Sequence, residues 1–216
     1  MTPLWPWMTL AALGAFHGLN PAMGWLFAVA LGMQERRRGA VLAALPPLAL
    51  GHAISIAIVL AAFSLALHAL PPRPLALAGG GILLTFGCYR LVRRNAHPRW
   101  VGMQVGFRDL TTWSFLMSSA HGAGLMLVPV MLGLTMVVPH HAIALQALGN
   151  GSHVVALALG VHTVALLATM ALVALAVYEV LGVALLRRMW VNLDLIWGVA
   201  LIAAGAVTMA QVLRLS

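Results

Sequence analysis

The chain has 216 residues, of which 62% are hydrophobic and 7% are charged, and its mean hydropathy is +1.00. A soluble globular domain is usually about 25% charged, so this composition excludes a soluble protein and predicts an all-α integral membrane protein that crosses the bilayer several times. The formal net charge of +8 comes entirely from arginines in short breaks between apolar runs, which indicates membrane topology rather than nucleic-acid binding.

The apolar runs predict six transmembrane helices in one membrane domain covering residues 1–216. A hydrocarbon core of about 30 Å needs roughly 20 apolar residues per helix. The segments that meet this requirement cover about 5–33, 40–69, 75–92, 111–136, 154–178 and 190–213.

The arginines predict the orientation of these helices. The second and fourth loops contain only Arg73, whereas the first, third and fifth loops are rich in arginine. Because arginine accumulates in cytoplasmic loops, we expect both termini on the periplasmic side of a bacterial inner membrane. The arginines assigned to the cytoplasmic side are Arg36, Arg37, Arg38, Arg90, Arg93, Arg94, Arg99, Arg108, Arg187 and Arg188.

Two halves of the sequence look like copies of one unit. The predicted first and fourth helices each carry a His-Gly pair near mid-span, and the second and fifth each carry a histidine in their first half. Three helices per unit is an odd number, so tandem copies must lie in the membrane with opposite orientation. We therefore predict two inverted three-helix repeats, at about 5–92 and 111–213, joined by an inner loop at 93–109, with a substrate site between them.

The stretch HGLNPAMGW, residues 17–25, predicts a break in the first helix. Pro21 has no N–H and collides with the carbonyl of His17 four residues earlier, while Asn20 favours the start of a new helical segment. We expect the helix to break after Leu19, to restart at Asn20-Pro21, and to leave the His17 carbonyl free beside a cavity. Met23 is close enough in sequence to reach the same cavity. An ordinary proline kink with a packed histidine is the alternative.

Four intramembrane histidines, His17, His52, His121 and His162, are the candidate metal ligands. Imidazole suits nickel, cobalt, copper and zinc, and it can also relay protons. No carboxylate is predicted at their depth to balance a doubly charged ion. Asn20, Ser55, Ser118 and Met23 are the candidate substrate-binding residues beside them.

The first helix resembles that of the NicO family of nickel and cobalt transporters, within the LysE-like transporter superfamily. The family pattern H-A-L-x-P-G-H-G-K matches this chain at His17, Leu19, Pro21 and Gly24, and the family's Ser-His-Thr segment resembles the residues around His52. The resemblance implies a six-helix bundle that exports transition-metal cations and uses His17 and His52 as ligands. The second motif histidine and the lysine are replaced by Met23 and Trp25.

Three functions therefore stay open. The first is secondary transport of a transition-metal cation as substrate, and the second is transport of a small organic or anionic solute by the same architecture. The third is a non-transport membrane subunit whose histidines bind haem or simply pack. The sequence contains no nucleophile–base pair that would predict an enzyme and suggests no permanently bound cofactor. The expected partners are the lipid bilayer, the small substrate and a second copy of the chain in a homo-oligomer.

Overall fold

The computed structural model describes residues 4–92, 106–136, 152–181 and 193–214, and every regular element in these ranges is helical. Residues 93–105, 137–151 and 182–192, which include most of the predicted third, fourth and fifth loops, lie outside the described residues. The helices are α1 (Trp5–Leu19), α2 (Trp25–Glu35), α3 (Arg38–Ala69), α4 (Pro72–Val92), α5 (Phe107–Ala120), α6 (Ala123–Met136), α7 (Ser152–Ala176), which continues into a π-helical turn (Val177–Leu181), and α8 (Leu193–Arg214).

Two helical stretches, Arg38–Phe63 and Val155–Val180, are long and apolar enough to cross a bilayer. The pair Phe107–Ala120 and Ala123–Met131, bent by 57°, is a third candidate if it counts as one span. The prediction of an all-helical protein is therefore confirmed for the described residues, and two or three of the helices could span a membrane, while six spans remain a prediction.

The predicted break in the first helix is present and is wider than expected. Helix α1 ends at Leu19, a 3-10 turn covers Pro21–Met23, and α2 begins only at Trp25. The expectation that Pro21 frees the His17 carbonyl is wrong, because that oxygen accepts a hydrogen bond of 3.1 Å from the N–H of Asn20. The chain turns within one residue of α1 and so satisfies the carbonyl locally.

The fourth predicted helix, about 111–136, is not continuous. It divides into α5 and α6 at His121-Gly122, and Gly122 takes a φ of +69°, which glycine adopts without a steric penalty. Gly24 at the first break also has a positive φ, of +113°. Each break therefore contains a left-handed glycine; the second break falls at a His-Gly pair, and the first begins two residues after one.

Three helix pairs make most of the contacts between elements: α1 with α7, α3 with α5, and α4 with α8. Glycines permit these approaches. A Cβ at Gly18 would lie 2.5 Å from the carbonyl oxygen of Leu166, and a Cβ at Gly51 would overlap the carbonyl oxygen of Thr111. Small residues are typical of membrane helix interfaces, where lipid supplies no hydrophobic drive for association.

Two buried apolar clusters lie along the paired helices. One includes Leu48 and Leu166, and the other includes Leu10, Ile56 and Ala158. His52 falls between Leu48 and Ile56 along α3, and His162 falls between Ala158 and Leu166 along α7. The packing thus encloses a polar layer between two apolar ones.

Candidate functional site

All four histidines predicted as ligands are buried in this layer, at no more than 1% exposure each. His17 lies in the last turn of α1, His52 in α3, His121 at the end of α5 and His162 in α7. Burial of four imidazoles is unusual unless each has polar partners. Their contacts therefore decide what the layer can do.

His17, His52 and His162 form a cluster of three rings in mutual contact. Their ring centroids are 5.2 Å apart for His17 and His52, 5.0 Å for His17 and His162, and 5.4 Å for His52 and His162. The His52 and His162 rings are nearly parallel, at 8°, and their Nε2 atoms are 3.2 Å apart. His17 presents its ring at 64° and 72° to the other two.

His121 lies beside this cluster on the broken fourth helix. It is close enough to His17 for the two imidazoles to interact electrostatically. The structure therefore brings together three of the four predicted histidines in ring contact and places the fourth next to His17. We refer to these four residues as the histidine cluster.

Backbone carbonyls set the proton position on three of these rings. The Nδ1 of His17 lies 2.7 Å from the Leu13 oxygen, that of His121 lies 2.7 Å from the Met117 oxygen, and that of His162 lies 3.2 Å from the Leu10 oxygen. A carbonyl can only accept, so in a neutral ring each Nδ1 carries the proton. The lone pair of each neutral ring then belongs to Nε2.

His52 has a different partner, because its Nδ1 lies 2.6 Å from the hydroxyl oxygen of Ser118. A hydroxyl can donate or accept. The Ser118 hydroxyl also lies 3.9 Å from the sulfur of Met23, within hydrogen-bonding reach of a thioether. Two of the predicted substrate-binding residues, Ser118 and Met23, are therefore linked to the histidine cluster through His52.

The side chains of the other two predicted substrate-binding residues, Asn20 and Ser55, form hydrogen bonds that support the fold. The Asn20 side chain accepts a hydrogen bond of 3.0 Å from the N–H of Ala22 and so caps the 3-10 turn, as a residue before Pro21 is expected to do. The Ser55 hydroxyl lies 2.9 Å from that of Ser119 and joins α3 to α5.

Sequence reasoning missed two polar residues near the site. The Ser114 hydroxyl donates a hydrogen bond of 2.6 Å to the Leu48 carbonyl. The indole nitrogen of Trp25 donates a hydrogen bond of 3.1 Å to the Leu19 carbonyl at the end of α1. Ser114 lies one turn before Ser118, so the spacing of four could have pointed to it. Trp25 gave no signal, because a tryptophan in an apolar segment is typical of packing.

The acidic side chains of the described residues pair with groups outside the cluster. Glu179 pairs with Arg38, Glu35 pairs with Arg37 at 2.5 Å, and Asp109 accepts from the Gly106 N–H at 2.9 Å. The Asp194 side chain lies outside the described residues.

Within the described ranges, no group of three or more His, Cys, Asp or Glu side chains is arranged to hold a metal ion. The three contacting rings explain this result: two Nε2 atoms face each other, and the His17 ring is edge-on to both.

A groove of about 150 Å³ lies at the ends of α2, α3 and α5, and its lining includes Glu35, Arg37 and Pro47. None of the four histidines lines it.

Comparison with known proteins adds no relative: no family model, curated protein or solved structure matches the chain. The resemblance to the NicO pattern is untested by these comparisons. The geometry of the described residues is the basis on which a function can be assigned.

Proposed function

We propose that the chain is a secondary transporter that moves a transition-metal cation across a bacterial inner membrane through the histidine cluster. The observation that carries this proposal is that the Nδ1 atoms of His17, His121 and His162 each face a backbone carbonyl, which places the proton of a neutral ring on Nδ1. Metal-binding histidines are commonly held in this way, because the second-sphere acceptor orients the ring and leaves Nε2 for the ion.

The spacing of His52 and His162 also supports a cation site. Two ligands of a tetrahedral ion, each at 2.0–2.1 Å, are about 3.3 Å apart. The two Nε2 atoms are 3.2 Å apart. A cation can therefore replace the contact between them with little movement of α3 or α7.

The pattern of helix packing supports six spans arranged as two inverted repeats. If the first unit contains α1 to α4 and the second contains α5 to α8, then α1 corresponds to α5, α3 to α7 and α4 to α8. The α1–α7 pair in one half then corresponds to the α5–α3 pair in the other, and the α4–α8 pair corresponds to itself. These are the three pairs with the most contacts, as a two-fold relation requires.

Individual contacts follow the same exchange. Gly14 lies three residues before His17, and Ser118 lies three residues before His121. A Cβ at Gly14 would overlap the carbonyl of His162, while Ser118 contacts His52. The correspondence of His17 with His121, and of His52 with His162, therefore agrees with two independent contacts.

The absence of a buried carboxylate among the described residues favours a singly charged transition-metal ion as the substrate. The buried polar side chains of the described residues are all histidine, asparagine, serine or threonine. Without an anionic partner, the cost of taking an ion out of water rises with the square of its charge. Cu(I), for which Ag(I) is a stable substitute, thus fits this cluster better than Ni(II), Co(II) or Zn(II).

Cation binding to the purified chain in lipid nanodiscs tests the proposal. We expect Ag(I) and Cu(I) to bind, and we expect His52→Gln and His162→Gln each to weaken binding at least tenfold. Thr163→Val is the matched control, because the Thr163 hydroxyl is buried beside His162 without a hydrogen-bond partner among the described residues. Binding that survives both histidine substitutions, or that no cation achieves, would contradict the proposal.

Topology can be tested separately. In a Cys88→Ser background, we expect a cysteine replacing Arg37 to react with a membrane-impermeant maleimide only after cells are opened. Alkaline phosphatase fused to the C-terminus should be active. An even number of spans places both termini on the same side of the membrane, and the arginine-rich loops predict that this side is the periplasm. An inactive fusion would contradict six spans with this orientation.

One observation favours a second function, proton transfer by the same residues. Ser118, His52 and His162 form a continuous hydrogen-bonded chain of 2.6 Å and 3.2 Å, and such a chain can relay protons during transport of another solute. Cation-independent proton flux into liposomes, abolished by His52→Gln, would favour this alternative. A Soret absorption band in the purified protein would instead favour a haem-binding subunit.

A further inference from the structure

The proton position on His52 is set by its two neighbours. In the neutral cluster, the Nε2 of His162 accepts, because its Nδ1 donates to the Leu10 carbonyl. The Nε2 of His52, 3.2 Å away, must then be the donor. A neutral ring has one proton, so the Nδ1 of His52 accepts from the Ser118 hydroxyl at 2.6 Å.

A cation between His52 and His162 reverses this arrangement. Both Nε2 atoms must then offer lone pairs to the ion. The His52 ring gives its Nε2 proton to water and takes up a proton from water at Nδ1, so that the ring stays neutral. Ser118 becomes the acceptor for this new N–H, and its own hydroxyl proton needs another acceptor.

Met23 supplies that acceptor. Its sulfur lies 3.9 Å from the Ser118 oxygen, and its side chain is only 1% exposed. Met23 is the last residue of the 3-10 turn between α1 and α2. The hydroxyl of Ser118 can therefore point either to the cluster or to the broken segment of the first helix.

We propose that Ser118 is a positioning residue whose hydroxyl turns from His52 toward Met23 when a cation enters the histidine cluster. This inference rests on the proposed cation site and deepens it. Its consequence is that occupancy of the cluster is transmitted to the break between α1 and α2, the segment where a change in backbone direction needs the least rearrangement of helical hydrogen bonds.

Ser114 provides the matched comparison on the same helix. Its hydroxyl also makes a buried bond of 2.6 Å, but the partner is the Leu48 carbonyl. A carbonyl oxygen can only accept a hydrogen bond, so Ser114 donates to Leu48 whether or not an ion is bound. Loss of Ser114 should change stability alone, whereas loss of Ser118 removes the acceptor for the Nδ1–H of His52 in the cation-bound cluster and should weaken cation binding.

Nitrogen NMR of 15N-histidine-labelled protein in nanodiscs, with and without Ag(I), tests the inference. His52 is assigned from the signals missing in His52→Gln. In the wild type we expect the proton to move from Nε2 to Nδ1 on addition of Ag(I). Ser118→Ala should weaken Ag(I) binding by 10–100-fold, whereas the His52 proton without Ag(I) should stay on Nε2, because His162 holds it there. Ser118→Thr should restore the affinity, and Ser114→Ala should leave it unchanged.

The possible failures can be distinguished. If Ag(I) binds Ser118→Ala as tightly as the wild type, the role of Ser118 is refuted while the cation site stands. If no cation binds the wild type, the proposed function fails and the switch fails with it. An unchanged affinity in Met23→Leu, with the proton still moving, would remove Met23 as the second acceptor.

Discussion

Substitution of Gly18 by alanine tests whether α1 and α7 pack through their glycines. The new Cβ would lie 2.5 Å from the Leu166 carbonyl oxygen and 2.9 Å from the Cβ of Thr169, about 0.9 Å short of the 3.4 Å at which ordinary contact begins for the oxygen. Backbone atoms cannot rotate away as a side chain can, so the helices must separate. Overpacking of this kind costs about 1–3 kcal/mol, partly offset by up to about 1 kcal/mol from the better helix propensity of alanine.

Gly160→Ala is the matched control, because a Cβ at Gly160 on α7 meets nothing within 4 Å. We expect Gly160→Ala to be neutral or slightly stabilising and Gly18→Ala to be less stable than it by about 1–3 kcal/mol, as measured by reversible unfolding in mixed micelles. Separation of the helices also moves His17 away from His162, so cation binding should weaken in Gly18→Ala alone. Equal stability of the two variants would refute close packing of α1 on α7 at Gly18.

Three further predictions concern the supports of the site. Trp25→Phe should lose about 0.5–1.5 kcal/mol of unfolding free energy, because the indole bond to the end of α1 is removed while the ring is kept; no loss would show that this bond is not formed in the bilayer. Ser114→Ala should lose about 0.6–1.5 kcal/mol, since the Leu48 carbonyl still has its helical partner, and a larger loss would indicate a second role. A double-mutant cycle on Arg38 and Glu179 should give a weak coupling that falls as salt is added, because the Arg38 side chain is exposed to solvent; a coupling independent of salt would contradict this.

The sequence predicted the parts of the fold that depend on composition and on single residue types. Apolar runs gave the helical character, and Asn20-Pro21 gave the break in the first helix, because proline removes a donor wherever it falls. The break at His121-Gly122 was not predictable in the same way. Gly122 takes a left-handed conformation there, but a glycine inside an apolar helix is equally compatible with an unbroken one.

The histidines illustrate the same limit within the site. Burial of His17, His52, His121 and His162 followed from their positions in apolar helices, and the repeat hypothesis placed them near one another. Which atoms face each other depends on helix rotation and on the close approaches at glycines, which periodicity alone does not define. The role of Ser118 was therefore visible only as a nearby hydroxyl, whereas its 2.6 Å contact with His52 defines it as the partner of one nitrogen.

The imidazoles at the ends of α1 and α5 share one arrangement. His17 donates to the carbonyl of Leu13, and His121 donates to that of Met117, in both cases four residues earlier. Each carbonyl lies within its helix, and that of Met117 also accepts the backbone N–H of His121, so the imidazole is an additional donor. Donation to the backbone fixes the proton on Nδ1, and this leaves Nε2 as the ligand nitrogen. Asparagine could donate to the same carbonyl through its amide N–H, but it would offer an oxygen in place of Nε2. His17→Asn should therefore keep most of the stability of the α1 end and lose the affinity for a soft cation, whereas His17→Leu should lose the hydrogen bond to Leu13 as well.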